Sequence, residues 1–233
     1  KKWEISKREE IAELKGLEQY RKDYVGNISH ELKTPLFSVQ GYIHTLLEGV
    51  EDEKVQEKFL MRAAANTDRL IHIVNDLEMI TRIEANTDFL KIKPFDIRNL
   101  SKEVKDDLSI QADKLNIRIK YEGNYSEPIY VKGDEEAIRQ VLNNLISNSI
   151  KYGKKNGNIK IRFTTLDDMI LIEIRDDGIG IGEEHLKHLF DRFYRIEKSR
   201  NRNVGGSGLG LSIVKHIIEA HGNDINVKST LEE

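Results

Sequence analysis

From Ile28 onward the apolar residues fall at steps of three and four: Ile28, Leu32, Leu36, Val39, Ile43 and Leu46. That is the spacing of a narrow helical seam. Residues 1–47 hold no glycine cluster and one proline, Pro35, so little competes with a long helix. "EGVEDE" (48–53) reads as a turn, and a second seam follows through Leu60, Ala64, Thr67, Leu70, Val74, Leu77 and Ile80. Two long helices joined by a short turn make an antiparallel hairpin. One hairpin cannot bury both of its faces, which predicts that two copies pair into a four-helix bundle. A purely structural coiled coil has the same periodicity.

The pattern breaks at "EANTDFLKIKPFD" (84–96). The boundaries that follow are a helical hairpin over 1–88, a linker over 89–95 and a second domain over 96–233. In the second domain "FDIRNLSKEVKDDLSIQADKLN" and "DEEAIRQVLNNLISNSIKYG" read as helices, the latter capped by Asp134. "GEEHLKHLFDRFYR" and "GLGLSIVKHIIEAHG" read as further helices. "IRIKYEG" and "PIYVKG" read as strands, and "NIKIRFTT" with "MILIEIRDDG" as a strand pair around "LDD". Helices and strands mix without a strict βαβ repeat, which favours an α+β sandwich. The closing "NDINVKSTLEE" reads as a strand and a turn with nothing for the strand to lead into, and the opening reads as mid-helix. The chain is therefore expected to be an excised part of a longer protein.

The chain has no cysteine, which excludes disulfides and thiolate metal sites. Its net charge of −3 gives no overall pointer to nucleic acid. No apolar run approaches the roughly 18–20 residues of a membrane span.

Four stretches could carry chemistry. In "GNISHELKTP" (26–35), His30 lies about 200° around the helix from Ile28, on the solvent side, with Thr34 one turn later on the same face. An exposed imidazole is an available nucleophile, and the carboxylate of Glu31 beside it can hold the ring tautomer or take its proton. Pro35 removes a donor to the Glu31 carbonyl and is expected to kink the helix there, as a hinge between domains. In "NNLISNSIKYG", Asn144, Asn148 and Tyr152 share one face at four-residue spacing, with Lys151 nearby. Amide oxygens suit Mg²⁺, which leans on nucleotide phosphates. In "RDDGIGIG", glycines let the backbone approach a ligand, and Asp176 can accept from an exocyclic amine. In "GGSGLGLSIVKH", Gly205, Gly206, Gly208 and Gly210 open a helix N-terminus, a ready phosphate site. Between these two runs, Arg192, Arg195, Lys198, Arg200 and Arg202 mark a basic flap. Each signal taken singly fits a surface histidine, a polar helix face or a flexible turn.

Together and in this order they resemble the catalytic core of bacterial two-component sensor histidine kinases of the HisKA type. "NISHELKTPL" is similar to the H box, "QVLNNLISNSIKYG" to the N box, "RDDGIGI" to the G1 box, "LFDRFYR" to the F box and "GGSGLGL" to the G2 box. The resemblance implies a dimeric helical domain bearing the phosphorylated histidine, followed by a Bergerat-fold ATP-binding domain. It implies autophosphorylation of His30 from ATP, with Glu31 as base, then transfer to an aspartate of a response regulator. Thr34 would serve dephosphorylation of that regulator. Asn148 would be the Mg²⁺ ligand, with Asn144 on the same side, Lys151 on phosphate, Tyr152 on the adenine ring and Asp176 on its amine. Gly206, Gly208 and Gly210 would line the triphosphate, with Gly178, Gly180, Arg195 and Leu209 also on the nucleotide. The implied partners are a second copy and a receiver domain, without nucleic acid. The implied location is the cytoplasmic portion of a membrane-anchored sensor, reaching the membrane only through an N-terminal part outside this sequence. Asp177 departs from the usual G1 pattern and is expected to add a charge near the base, and the family's terminal strand has no counterpart here.

Overall fold

The computed structural model describes residues 2–85, 90–123, 125–196 and 207–231. Two compact units divide the chain, Lys1–Glu78 and Met79–Glu233.

The first unit is the helical hairpin. Helix α1 runs over Lys2–Leu47 without interruption, with Pro35 inside it and buried. Helix α2 runs over Glu53–Ala85. Asp52 starts α2, its Oδ1 accepting from Lys54 N at 2.9 Å, the orphan donor a cap is needed for. Near the turn the rings of Tyr42 and Phe59 stack with centroids 5.7 Å apart. The two sequence seams divide in space. Ile28, Leu32, Val39, Leu46, Leu70 and Leu77 are half-buried, and Ala63 and Ile73 are buried. Leu36, Ile43, Leu60 and Val74 are exposed, so each helix carries a second apolar stripe that a single hairpin leaves uncovered.

In the second unit the elements are β1 (Lys93–Asp96), α3 (Ile97–Lys114), β2 (Arg118–Tyr121), β3 (Tyr130–Gly133), α4 (Glu135–Tyr152), β4 (Asn158–Leu166), β5 (Met169–Asp176), α5 (Glu183–Leu186) and α6 (Gly210–Ala220). One sheet has the order β2-β4-β5, with β2 parallel to β4 and β4 antiparallel to β5; β1 and β3 form an antiparallel pair. Helix α3 places Ile97, Leu100, Val104, Leu108 and Ala112 on one face, at helical spacing. These meet Ile159, Ile161 and Phe163, alternate residues of β4, together with Leu142, Ile146 and Ile150 of α4. Each valine, leucine, isoleucine or phenylalanine among them contributes about 1.5–3 kcal/mol by leaving water. The aspartates Asp96 and Asp134 cap α3 and α4, accepting from Arg98 N at 3.0 Å and Ala137 N at 3.1 Å. The α+β sandwich and the cap at Asp134 match the sequence reading.

Three local readings change. Residues 93–95 belong to a paired strand, so the expected linker shares its last three positions with β1. The helix read over "GEEHLKHLFDRFYR" stops after one turn. Successive i→i+3 turns carry the chain from His185 to Asp191, and Phe193 then takes φ 63, which no α-helix tolerates. The closing segment 223–233, read as a strand and a turn, pairs with no strand among its described residues 223–231. It is fixed instead by a side chain, the Ser229 Oγ accepting from Ile181 N at 2.9 Å.

Candidate functional site

On α1, His30 is exposed and Glu31 beside it is half-buried, as the helical geometry requires when Ile28 and Leu32 turn inward. Glu31 is held from across the hairpin by Arg69 of α2, whose Nη2 donates to Oε2 at 3.0 Å. Thr34 is exposed on the same face as His30, and its Oγ1 donates to the His30 carbonyl at 3.1 Å. Ser38 Oγ repeats the pattern on the Thr34 carbonyl at 3.0 Å. These hydroxyls bond back along the helix around Pro35, which itself supplies no N–H.

In the second unit α4, the loop after β5 and the start of α6 converge. A Cβ on Gly178 would lie 2.7 Å from the Tyr152 carbonyl, so the end of α4 and the turn after β5 touch backbone to backbone, an approach that needs glycine. A Cβ on Gly210 would lie 2.7 Å from Asn144 Oδ1, which places the first residue of α6 against α4. The Gly208 φ is 71, and its carbonyl accepts from Phe193 N at 2.9 Å. That bond ties together the two ends of the stretch expected to form the basic flap. Gly206, Lys198, Arg200 and Arg202 lie outside the described residues; Arg195 is exposed at the flap's first end. Leu209 is fully buried and anchors the turn into α6, with Ser212 Oγ donating to its carbonyl at 2.8 Å.

The polar groups at this corner are partly used and partly open. Asp176 Oδ1 accepts from Gly178 N at 3.0 Å, and no donor reaches Oδ2 among the described residues. Asn144 Nδ2 donates to Gln140 O at 3.1 Å, whereas the half-buried Asn148 amide makes no hydrogen bond among the described residues. No side chain among the described residues caps α6, and the N–H groups of its first turn point the way an anion would need. This set fits ATP and Mg²⁺: a free carboxylate oxygen for an amine, glycines where backbone must come close, an open amide for the metal and an uncapped helix start for phosphate. Among the described residues no cluster of three His, Asp or Glu side chains could hold a metal by itself.

Lys151 and Tyr152 are neighbours at the end of α4, with the Lys151 ammonium 5.0 Å from the Tyr152 ring centroid. Gly180, φ 72, lies under the Thr230 carbonyl. Asp177 does not carry its charge towards a base. Its two oxygens accept from Asn158 N at 2.8 and 3.0 Å, and Oδ2 also from Asn158 Nδ2 at 3.1 Å. The Asn158 backbone hydrogen bond is the main reason its carboxyl is held below the usual range. Sequence reasoning missed this clamp and also missed Arg69, which sits 38 residues from Glu31. A cavity of about 230 Å³ lined by Arg98, Lys102, Tyr121, Gly123 and Tyr125 shares no residue with the nucleotide corner.

Two family models match the chain in this order. Residues 20–86 match the His Kinase A (phospho-acceptor) domain. Residues 133–233 match the histidine kinase-, DNA gyrase B- and HSP90-like ATPase. The chain belongs to the HisKA-type sensor histidine kinases. This histidine kinase core is 33% identical over 229 residues to the sensor histidine kinase WalK of Bacillus subtilis, covering 93% of this chain and 36% of that protein. It is 34% identical over 221 residues to the phosphate regulon sensor protein PhoR of Pseudomonas aeruginosa, covering 94% and 49% respectively. It spans about half or less of the length of both relatives. Among solved structures, the histidine kinase AdeS of Acinetobacter baumannii superposes with a TM-score of 0.63 at 28% identity, covering 82% of this chain and 86% of that one.

Proposed function

We propose that this core transfers the terminal phosphoryl group of ATP to His30 and passes it to an aspartate of a response-regulator receiver domain. The observation that carries the reading is the exposed His30 with Glu31 beside it, in the same chain as a corner built for a nucleotide.

The unprotonated ring nitrogen of His30 attacks the terminal phosphorus, the bond to the bridging oxygen breaks, and ADP leaves. The proton on the other ring nitrogen passes to Glu31, which leaves the phosphorylated imidazole ring uncharged, with negative charge only on the phosphoryl oxygens. Asp176 Oδ2 takes the adenine amine and the first turn of α6, with Gly206, Gly208 and Gly210, takes the phosphates. Mg²⁺ held through Asn148 would supply positive charge to the group in transfer. Lys151 leaves the Tyr152 ring to reach phosphate, and Tyr152 is then free for adenine. Positioning supplies most of the rate, since phosphoryl transfer asks little covalent chemistry of the protein.

Thr34 serves the opposing hydrolysis, in which water takes the phosphoryl group from the regulator's aspartate as inorganic phosphate, once its hydroxyl leaves the His30 carbonyl. The exposed stripe of Leu36, Ile43, Leu60 and Val74 supports a homodimer, where a second hairpin would cover it. ThkA, whose solved structure is a complex with the response regulator TrrA, shares the fold with a TM-score of 0.67 at 24% identity. No described helix is long and apolar enough to cross a membrane, and we assign the chain to the cytoplasmic side of a membrane-anchored sensor.

Phosphotransfer profiling tests the reading. The labelled kinase is mixed with a panel of purified receiver domains, and label should pass rapidly to one or a few of them. Label that stays on the kinase with every receiver, or release of free phosphate without any labelled kinase, would contradict it.

A further inference from the structure

We propose that Arg69 is a positioning residue for autophosphorylation, pinning one oxygen of Glu31 so that the other is left to take the His30 proton. This rests on the reading of Glu31 as proton acceptor. Arg69 reaches Glu31 from the opposite helix of the hairpin, and both side chains are largely removed from solvent, 29% and 17% exposed. One hydrogen bond joins them, Nη2 to Oε2 at 3.0 Å. Among the described residues no donor reaches Oε1, and the buried Arg69 Nε finds no hydrogen-bond partner.

An ion pair kept for stability would not look like this. Guanidinium and carboxylate match at two points, and a two-point contact would satisfy Nε and both oxygens together. A buried, charged donor left unpaired is costly, so the one-point contact works against stability. What the arrangement does provide is a carboxylate held at one oxygen and free at the other, next in sequence to His30. A glutamate on its own samples several rotamers, and fixing them in advance removes that loss from the reaction step. The guanidinium fork is rigid, so it holds direction as well as charge.

A double-mutant cycle in the dimeric two-domain protein tests it. Autophosphorylation rate at saturating ATP, KM for ATP and thermal midpoint are measured for wild type, Arg69→Met, Arg69→Lys, Glu31→Gln and Arg69→Met with Glu31→Gln. Arg69→Met should slow labelling about tenfold, part of the roughly 10²–10⁴-fold that a positioned base supplies. KM for ATP should not move, and Arg69→Lys should recover part of the rate. In the Glu31→Gln background Arg69→Met should add no further loss, the signature of two residues acting as a unit. Equal losses in both backgrounds, or an unchanged rate in Arg69→Met while Glu31→Gln is slow, would overturn the inference and leave Glu31 in its role. An unchanged rate in Glu31→Gln would overturn both. If Arg69→Met melts early, Arg69→Gln keeps the cycle readable, because it removes the charge but retains a polar group.

Discussion

Asp177 shows how a single carboxylate can change meaning between chain and fold. In sequence it is an extra charge in a nucleotide motif; in the structure it clamps the turn after β5 to the first residue of β4 through Asn158. Its carboxyl is held below the ordinary aspartate value of 3.8, chiefly by the Asn158 backbone N–H. A depressed carboxyl contributes stability above its unfolded value and loses it as pH falls through the folded one. Thermal melts of wild type and Asp177→Asn should therefore differ by a few degrees from pH 7 down to about pH 4, and converge below it. A gap that persists unchanged into acid would show that the clamp does not act through its charge. His30 and its exposure were legible from spacing, because helix geometry is local. Arg69 and the direction of Asp177 were not, because each is decided by a contact to residues 38 or 19 positions away.

The elements with a long, regular pattern were legible for the same local reason. Helices α3 and α4 repeat apolar residues every three or four positions, and β4 and β5 alternate around a two-residue turn. Strand β1, four residues long, is too short for a period and overlaps the expected linker; β2 reads as a strand, but its parallel pairing with β4 follows a crossover that no local signal encodes. The helix expected after Gly182 ends at Leu186, and beyond it Phe193 turns the chain to meet Gly208. That junction gives a prediction at the same scale. In Gly208→Ala a new Cβ would lie 2.8 Å from the Phe193 backbone while φ stays at 71. Both effects oppose the substitution, and it should cost more than about 1 kcal/mol. The thermal midpoint of the second unit should fall by about 2–4 °C or more, with weakened binding of an ATP analogue in calorimetry. A variant with wild-type melting and wild-type affinity would mean that the Phe193–Gly208 bond does not shape the corner.

For the whole molecule, the proposed dimer rests on the exposed apolar stripes of the hairpin. Leu36 and Leu60, 53% and 59% exposed, sit among other exposed apolar residues on α1 and α2. Replacing both with lysine should shift the protein from dimer to monomer in sedimentation while nucleotide affinity of the second unit is retained. Sedimentation as an unchanged dimer would place the pairing surface elsewhere. The central claim joins the two units, and the most direct measurement of it is incubation with terminally labelled ATP and Mg²⁺ of three proteins: wild type, His30→Gln and Asn148→Ala. Wild type should acquire label that is lost in acid and stable in base, the behaviour of a phosphoimidazole. Neither variant should acquire it, His30→Gln for want of an acceptor and Asn148→Ala for want of a nucleotide held for transfer. Acid-labile label surviving in His30→Gln, or none on wild type, would contradict the account.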